Sequence, residues 1–168
     1  MKFRLEQQFD LPVDQVEAGF VDPDLFAHLG DLDEVGRPEL LERVDDGSSV
    51  DLRVRYAFTG ELAPALMAVV ERERLTWVET STLDRETHRT EFRVVPDHYP
   101  DRLRCAGTVV GVDHGSGSRR IAVGSIDVRI PWVRGRVERA IVAGLVRQAD
   151  VQARIVRDWM ASRRQAET

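Results

Sequence analysis

The chain has one cysteine, one lysine and no asparagine among its 168 residues. The single cysteine, Cys105, excludes an intrachain disulfide, which fits a reducing compartment such as the cytoplasm. There is no CxxC or HExxH motif, and the four histidines lack the spacing of metal-ligand pairs. We therefore expect a cytoplasmic protein that binds no metal and needs no cofactor.

Long apolar segments are also missing. The longest apolar runs, 63–70 and 140–146, are far shorter than the roughly 20 residues that a membrane-spanning helix needs. The first residues, MKFRLEQQF, contain no apolar stretch of the kind found in signal peptides. The sequence therefore predicts neither a membrane span nor a secretion signal.

Acidic residues outnumber basic ones, and the formal net charge is −5. This balance argues against nucleic acid as a partner. The segment 134–164 differs from the rest, because it contains eight arginines and only three acidic residues. Its charge predicts a solvated helix face packed near an acidic sheet, and the alternative is a surface that docks an acidic partner.

The remaining composition is that of a globular protein, with 42% hydrophobic and 32% charged residues. A chain of this length can bury a sizeable core. We expect residues 1–168 to form one domain.

Most of the chain has the two-residue periodicity of β-strands. The clearest case is 50–59, where Val50, Leu52, Val54 and Tyr56 alternate with more polar residues. Short turns between the later strands, including a hairpin loop at 113–118, predict an antiparallel meander. The pattern predicts seven strands, at residues 2–9, 38–44, 50–59, 74–82, 88–95, 103–112 and 119–130.

Helical spacing follows the first strand at 13–20 and 24–29, and Asp22 and Pro23 form a helix-start signal before the second of these. The segment 60–71 is apolar without a strand period, and predicts a short helix or loop that is either a flap on the core or a gate over a cavity. From about residue 133 to 164, the inward-facing positions recur every three or four residues. This stripe comprises Val137, Ile141, Gly144, Leu145, Gln148, Gln152, Ile155 and Trp159.

A strongly bent sheet needs a cover on its concave face, and the last helix is the only predicted element long enough to provide one. We therefore predict an α+β helix-grip fold. It consists of a seven-stranded curved antiparallel sheet, two short helices and one long C-terminal helix.

Several segments also resemble a known family. They are FRLEQQFDLPVDQVEAGFVDPDLF (residues 3–26), ELAPALMAVV (61–70), GSIDVRIPWVRGRVERAIVAGL (124–145) and RDWMA (157–161). They resemble the actinobacterial DUF2505 family of the START/Bet v 1-like superfamily, also called SRPBCC or polyketide cyclase-like. The resemblance implies a cavity between the sheet and the long helix, often for lipids, sterols or other apolar molecules. It implies no particular reaction.

The candidate site is the lining of this cavity, where apolar walls would supply affinity and a few polar groups would orient the ligand. Three glycines within strands, Gly107, Gly111 and Gly124, favour a cavity because they remove side-chain volume. The glutamines of the helix stripe place the expected ligand at its middle turn. The predicted lining comprises Tyr56, Phe58, Leu66, Met67, Trp77, Glu79, Phe92, Val137, Ile141, Leu145 and Gln148.

Glu79 has two interpretations. If it shares the concave face with Leu75 and Trp77, it is a partly buried acid whose pKa is raised by desolvation. The interpretation that we favour from the sequence is a twisted strand, in which Val78 faces inward and Glu79 faces water. His88 is expected to be an ordinary histidine at a strand edge, and Cys105 a small buried side chain rather than a nucleophile.

The sequence therefore predicts a protein that binds a small apolar or amphipathic, lipid-like molecule, with no catalytic residue assigned. One alternative is a cyclase- or hydrolase-type enzyme that uses Glu79 or His88 in the same cavity. The other is a co-chaperone-like interaction module that uses the arginine-rich face of the last helix, with a homodimer left open.

Overall fold

A computed structural model describes residues 1–30, 32–62, 64–68 and 70–166, without the side chains of Ala65, Leu66 and Ala166. Strands and helices follow one another along the chain much as their periodicity predicts, and a 3₁₀ turn lies at Arg72–Arg74. In chain order the elements are β1 (Lys2–Phe9), α1 (Val13–Phe20), α2 (Pro23–His28), β2 (Glu39–Asp45), β3 (Ser49–Ala57), α3 (Pro64–Met67), β4 (Thr76–Asp84), β5 (Arg89–Pro96), β6 (Leu103–His114), β7 (Gly117–Val128) and α4 (Arg134–Ala166).

Within the described residues the strands form one curved antiparallel sheet of seven, in the order β1-β7-β6-β5-β4-β3-β2. The predicted meander from β2 to β7 is confirmed. The chain's first strand pairs with its last, with Phe3 opposite Gly124. The β6–β7 hairpin is tighter than predicted, because its two strands extend to His114 and Gly117. Gly115, with a φ of 62°, provides the left-handed backbone for this two-residue turn.

The two short helices pack at one end of the sheet. The predicted start of α2 is confirmed, since the Asp22 carboxylate accepts a 2.9 Å hydrogen bond from the backbone N–H of Asp24. Helix α1 lies close to the sheet where β6 has a glycine. A Cβ atom at Gly111 would lie 2.3 Å from Cγ2 of Val13 and 2.7 Å from Oε1 of Glu17. The glycine is therefore what allows α1, and with it Glu17, to approach the sheet.

Helix α4 crosses the concave face of the sheet and has 33 residues, a length of about 50 Å. Buried side chains form two clusters along it. One cluster joins its C-terminal half to α1, α2 and β3, and the other joins its N-terminal half to β1, β6 and β7. In the C-terminal half, Val156 is fully buried, whereas Ile155 of the predicted stripe is only partly buried. The buried face of α4 therefore changes along its length, because its C-terminal half also packs against α1 and α2.

The apolar segment 60–71 contains the short helix α3 and does not line the cavity in the part that the structure describes. No helix among the described residues is both long enough and apolar enough to cross a membrane.

Two of the glycines within strands do not enlarge the interior. A Cβ atom at Gly107 would lie 2.8 Å from the ring of Phe92, and one at Gly124 would lie 2.5 Å from the ring of Phe3. The aromatic rings occupy the space that the glycines leave, so the prediction that these glycines create cavity volume is wrong.

Candidate ligand cavity

A cavity of about 180 Å³ lies between the concave face of the sheet and the middle of α4. Apolar side chains from β1, α1 and β3–β7 form most of its wall. The helix contributes the turns from Leu145 to Gln152. The lining residues are Phe3, Leu5, Gln7, Glu17, Phe20, Val21, Phe26, Val50, Leu52, Val54, Tyr56, Glu79, Ser81, Leu83, Thr90, Phe92, Val94, Cys105, Val109, Arg120, Ala122, Leu145, Gln148, Ala149 and Gln152.

Five of the predicted lining residues are in this wall: Tyr56, Glu79, Phe92, Leu145 and Gln148. The middle turn of α4, where the glutamines interrupt the apolar stripe, is therefore part of the wall. Whether these residues bind a ligand stays a prediction.

Five other predicted residues are not in the wall: Phe58, Met67, Trp77, Val137 and Ile141. The side chain of Leu66 lies outside the part of the chain that the structure describes.

The structure places each of these five residues elsewhere. Val137 and Ile141 belong to the cluster under the N-terminal half of α4, so they fill the space between helix and sheet there. Trp77 stacks on Tyr56, with ring centroids 5.7 Å apart and planes at 14°, and so supports the wall from behind. Phe58 lies past the end of β3, in a bridge with Val35 outside the strands. Met67 is 60% exposed on α3.

Glu79 lies in the cavity wall, so the interpretation that it faces water is wrong. Strand β4 keeps its alternation, and Glu79 stands between Val54 of β3 and Val94 of β5, which also line the cavity. Burial raises the pKa of Glu79 to about 7, because the charged carboxylate is disfavoured there, and the positive charge of Arg120 opposes this shift.

Arg120 is the main wall residue that the sequence analysis missed. Its Nη1 donates a 3.0 Å hydrogen bond to Oε1 of Gln7, and its guanidinium carbon lies 3.5 Å from the ring centroid of Phe20. Nε2 of Gln7 donates in turn to the backbone oxygen of Ala149 at 2.7 Å, which ties the sheet to α4. Burial lowers the pKa of Arg120 to about 10, a value that still keeps the guanidinium charged at neutral pH.

Glu17 and His88 form a polar contact at the rim. Nδ1 of His88 lies 2.8 Å from Oε2 of Glu17. Glu17 lines the cavity and is buried, whereas His88 is not in the wall. Burial raises the pKa of Glu17, and the hydrogen bond to Glu17 raises the pKa of His88.

These polar residues form one row across the sheet. Arg120 stands opposite Gln7 on one side and opposite Gly111 on the other. The backbone N–H of Gly111 donates a 2.8 Å hydrogen bond to the backbone oxygen of His88. Glu17 reaches this row from α1 through the space above Gly111. The row contributes the charged groups of Arg120 and Glu17 and the amide of Gln7 to one part of the cavity wall.

A signal for part of this row is present in the sequence. Arg120 precedes Ala122 by two residues, and Gln7 follows Leu5 by two, so the strand period puts each on the same face as its apolar neighbour. Glu17 has no comparable signal, because its position depends on how α1 packs on the sheet.

The remaining titratable wall residues are Tyr56 and Cys105. Burial raises the pKa of the Tyr56 hydroxyl well above its usual value, and the charge of Glu79 adds to this effect. Burial raises the pKa of Cys105 to about 12, so the thiol stays protonated and is a poor nucleophile at neutral pH. Among the described residues, no cluster of three or more histidine, cysteine or acidic side chains is arranged to hold a metal ion.

The sequence profile of a family of proteins of unknown function, DUF2505, matches residues 4–160. The chain belongs to this family. The match extends from β1 to the last turns of α4 and includes nearly the whole cavity wall. No curated protein matches the chain.

Solved structures with a similar fold show what kind of architecture this DUF2505 protein has. A protein from Thermus thermophilus superposes with a TM-score of 0.66 at 20% identity, over 93% of this chain and 97% of that one. An aromatase/cyclase from a Streptomyces species gives 0.62 at 13% identity, over 97% and 96% of the two chains. Norcoclaurine synthase from Thalictrum flavum gives 0.60 at 19% identity, over 93% and 86%. At these identities the likeness shows a Bet v 1-like fold alone.

The arginine-rich face of α4 is used largely within the chain. Arg147 bonds the carboxylates of Asp33 and Glu34, each at 2.7 Å. Arg163 bonds Asp22 at 2.9 Å, and Arg134 forms ion pairs with Asp127 and Glu138. These contacts favour the interpretation of a helix face that neutralises nearby acidic residues over that of a docking surface.

Proposed function

We propose that this DUF2505 protein binds a small apolar or amphipathic molecule in the cavity between the sheet and α4. The observation that carries this proposal is the cavity itself, which is about 180 Å³ in volume and has mostly apolar walls with a few polar groups among them. Such a combination is typical of small-molecule sites. We also propose that the chain acts as one domain and, given its single cysteine, works in the cytoplasm.

The volume of the cavity limits the ligand. An apolar protein cavity of roughly 150 Å³ holds benzene, so this one matches a molecule with a single substituted ring or a short branched chain. Drug-sized ligands occupy roughly 300–1,000 Å³. A lipid with long acyl chains would therefore require α4 to move away from the sheet.

Native mass spectrometry and solvent extraction of the purified protein test this proposal. We expect a small molecule that co-purifies and is lost on denaturation. Ala122→Leu adds volume inside the cavity and should reduce the bound fraction at least severalfold. The matched control is Ala106→Leu on the same sheet, because Ala106 is exposed and absent from the cavity wall. Equal occupancy in both variants would contradict binding in this cavity.

A second candidate is an enzyme of cyclase or hydrolase type that acts in the same cavity. It is favoured by Glu79, a carboxyl group in the wall whose pKa is raised to about 7. A group that titrates near neutral pH is suited to both accept and donate a proton. His88 is not in the wall, and its imidazole bonds Glu17, which is.

The enzyme hypothesis is tested on the molecule that co-purifies. Incubation with fresh protein should convert it into a product of different mass or retention time. Glu79→Gln should abolish the conversion, whereas Glu91→Gln, at an exposed position on β5, should not. A molecule that is bound and released unchanged would leave binding as the function.

A further inference from the structure

Three polar side chains in the cavity wall have hydrogen-bonding capacity that no described residue uses. Arg120 donates one hydrogen bond, to the neutral amide of Gln7, and makes no ion pair within the described ranges. The Tyr56 hydroxyl and the Glu79 carboxyl make no hydrogen bond with any residue that the structure describes. All three side chains line the cavity, so these unused donors and acceptors are available to a molecule that occupies it.

The charges around the cavity decide what kind of occupant fits. The two carboxylic acids in the wall are Glu17 and Glu79. Glu17 already has His88 as its partner at 2.8 Å. Burial keeps Glu79 largely neutral up to about pH 7. Arg120 forms no salt bridge among the described residues, although the charges of Glu17 and Glu79 act on it at longer range. The Phe20 ring beneath it compensates for only part of its desolvation.

We infer that the part of the cavity around Arg120 is a subsite for a carboxylate-like anion, which Arg120 binds through its free guanidinium N–H groups. The inference rests on the proposed binding function, and it specifies the ligand as a small amphipathic acid rather than a neutral apolar molecule. Arginine suits this role because its planar guanidinium group can donate two parallel hydrogen bonds to one carboxylate. The apolar part of the acid would lie against Leu52, Val54 and Phe92.

Binding of an acid is coupled to the protonation of Glu79. An ionised Glu79 repels the anion and competes for the charge of Arg120, with which it interacts electrostatically, whereas a neutral Glu79 does neither. The other groups that face the cavity change this little, because the Tyr56 hydroxyl and Cys105 thiol stay protonated and Gln7, Gln148 and Gln152 are uncharged. When His88 loses its proton, the negative charge of Glu17 is no longer neutralised by a positive partner. Like ionisation of Glu79, this lowers the affinity for an anion. Affinity for the acid therefore falls as the pH rises through about 7.

Isothermal titration calorimetry with benzoate, benzamide and benzylamine tests the inference. The three probes have nearly the same size and differ in charge. We expect the wild-type protein to bind benzoate at least about tenfold more tightly than benzamide, the gain typical of a charge-assisted hydrogen bond. Arg120→Gln should remove this preference, because it weakens the binding of benzoate far more than that of benzamide. The matched control is Arg119→Gln, because Arg119 is the neighbouring residue on β7 and is absent from the cavity wall.

The pH dependence provides a second measurement. Benzoate affinity of the wild-type protein should decrease between about pH 6 and pH 8, and Glu79→Gln should remove most of this decrease. Arg120→Lys keeps the positive charge and should retain part of the preference if Arg120→Gln fails to fold.

Each outcome is decisive. Benzamide or benzylamine that binds as tightly as benzoate to the wild-type protein overturns the anion subsite and leaves the proposed binding function intact. A benzoate preference that persists in folded Arg120→Gln also overturns the subsite. If none of the three probes binds and the purified protein carries no small molecule, the proposed function itself is overturned.

Discussion

The imidazole of His88 and the carboxylate of Glu17 are hydrogen-bonded at 2.8 Å, although 71 residues separate them in the chain. The contact joins α1 to the turn between β4 and β5 at the rim of the cavity. Glu17 is only 7% exposed, so its carboxylate depends on this partner for a large part of its stabilisation. His88 has a φ of 52°, a left-handed conformation that Asn tolerates better than most residues.

Replacement of this histidine should destabilise the fold in a pH-dependent way. The pKa of His88 is raised in the folded state, so its protonation adds stability below the unfolded pKa, and this stability is lost as the pH rises through the folded value. We expect His88→Asn to lower the free energy of unfolding by about 1 kcal/mol near pH 6 and by less near pH 9. Urea denaturation at both pH values measures this, with His98→Asn, an exposed residue, as the control. Equal losses at both pH values would contradict the ion pair.

Replacement of Glu79 should stabilise the protein at high pH. Its folded pKa is raised from 4.5 to about 7, so the wild-type protein loses stability as the pH rises between these values, where only the unfolded chain is fully ionised. Glu79→Gln removes this loss. We expect the variant to gain about 2–3 kcal/mol relative to wild type between pH 4.5 and pH 8. Chemical denaturation across this range measures the gain, and a constant difference from the exposed Glu91→Gln control would refute a buried acid.

A methyl group at position 111 should disrupt the packing of α1 against the sheet. The added Cβ would lie 2.3 Å from Cγ2 of Val13 and 2.7 Å from Oε1 of Glu17. We expect Gly111→Ala to cost about 1–3 kcal/mol, the usual penalty for overpacking. In Gly144→Ala, in the middle of α4, the new Cβ would lie 3.9 Å from the Arg147 guanidinium, an ordinary contact distance. This control should instead gain about 0.5–1 kcal/mol from helix propensity. Thermal unfolding of both variants provides the comparison.

The ion pairs of Arg147 should be weak and sensitive to salt. Its guanidinium joins α4 to Asp33 and Glu34 in the segment before β2, and all three side chains are more than one-third exposed. We expect Arg147→Gln to cost roughly 0.5–1 kcal/mol at low ionic strength and close to nothing at about 1 M salt. Arg154→Gln, also exposed on α4, serves as the control and should show no such salt dependence. A loss that persists in high salt would mean that Arg147 acts through packing of its aliphatic part.

Local patterns in the sequence account for most of the fold. The alternation of Val50, Leu52 and Val54 on β3 and the three- to four-residue spacing on α4 each depend on near neighbours in the chain. Such patterns survive folding unchanged, which is why the meander and the long cover helix were predictable. The pairing of β1 with β7 was not, because strand partners separated by more than 100 residues are chosen by the closure of the sheet.

The cavity depended more on tertiary structure than on the sequence. Arg120 and Gln7 follow the strand period, so the face on which they lie is determined by the sequence alone. The alternation of β4 did not decide whether Glu79 faces the cavity or the solvent. Only the pairing of β4 with β3 and β5 places it on the cavity side. Val137 and Ile141 obey the same helical period as Leu145, yet they pack against the sheet where Leu145 lines a cavity. A cavity lies where distant side chains fail to meet, and that depends on the curvature of the whole sheet rather than on any single segment.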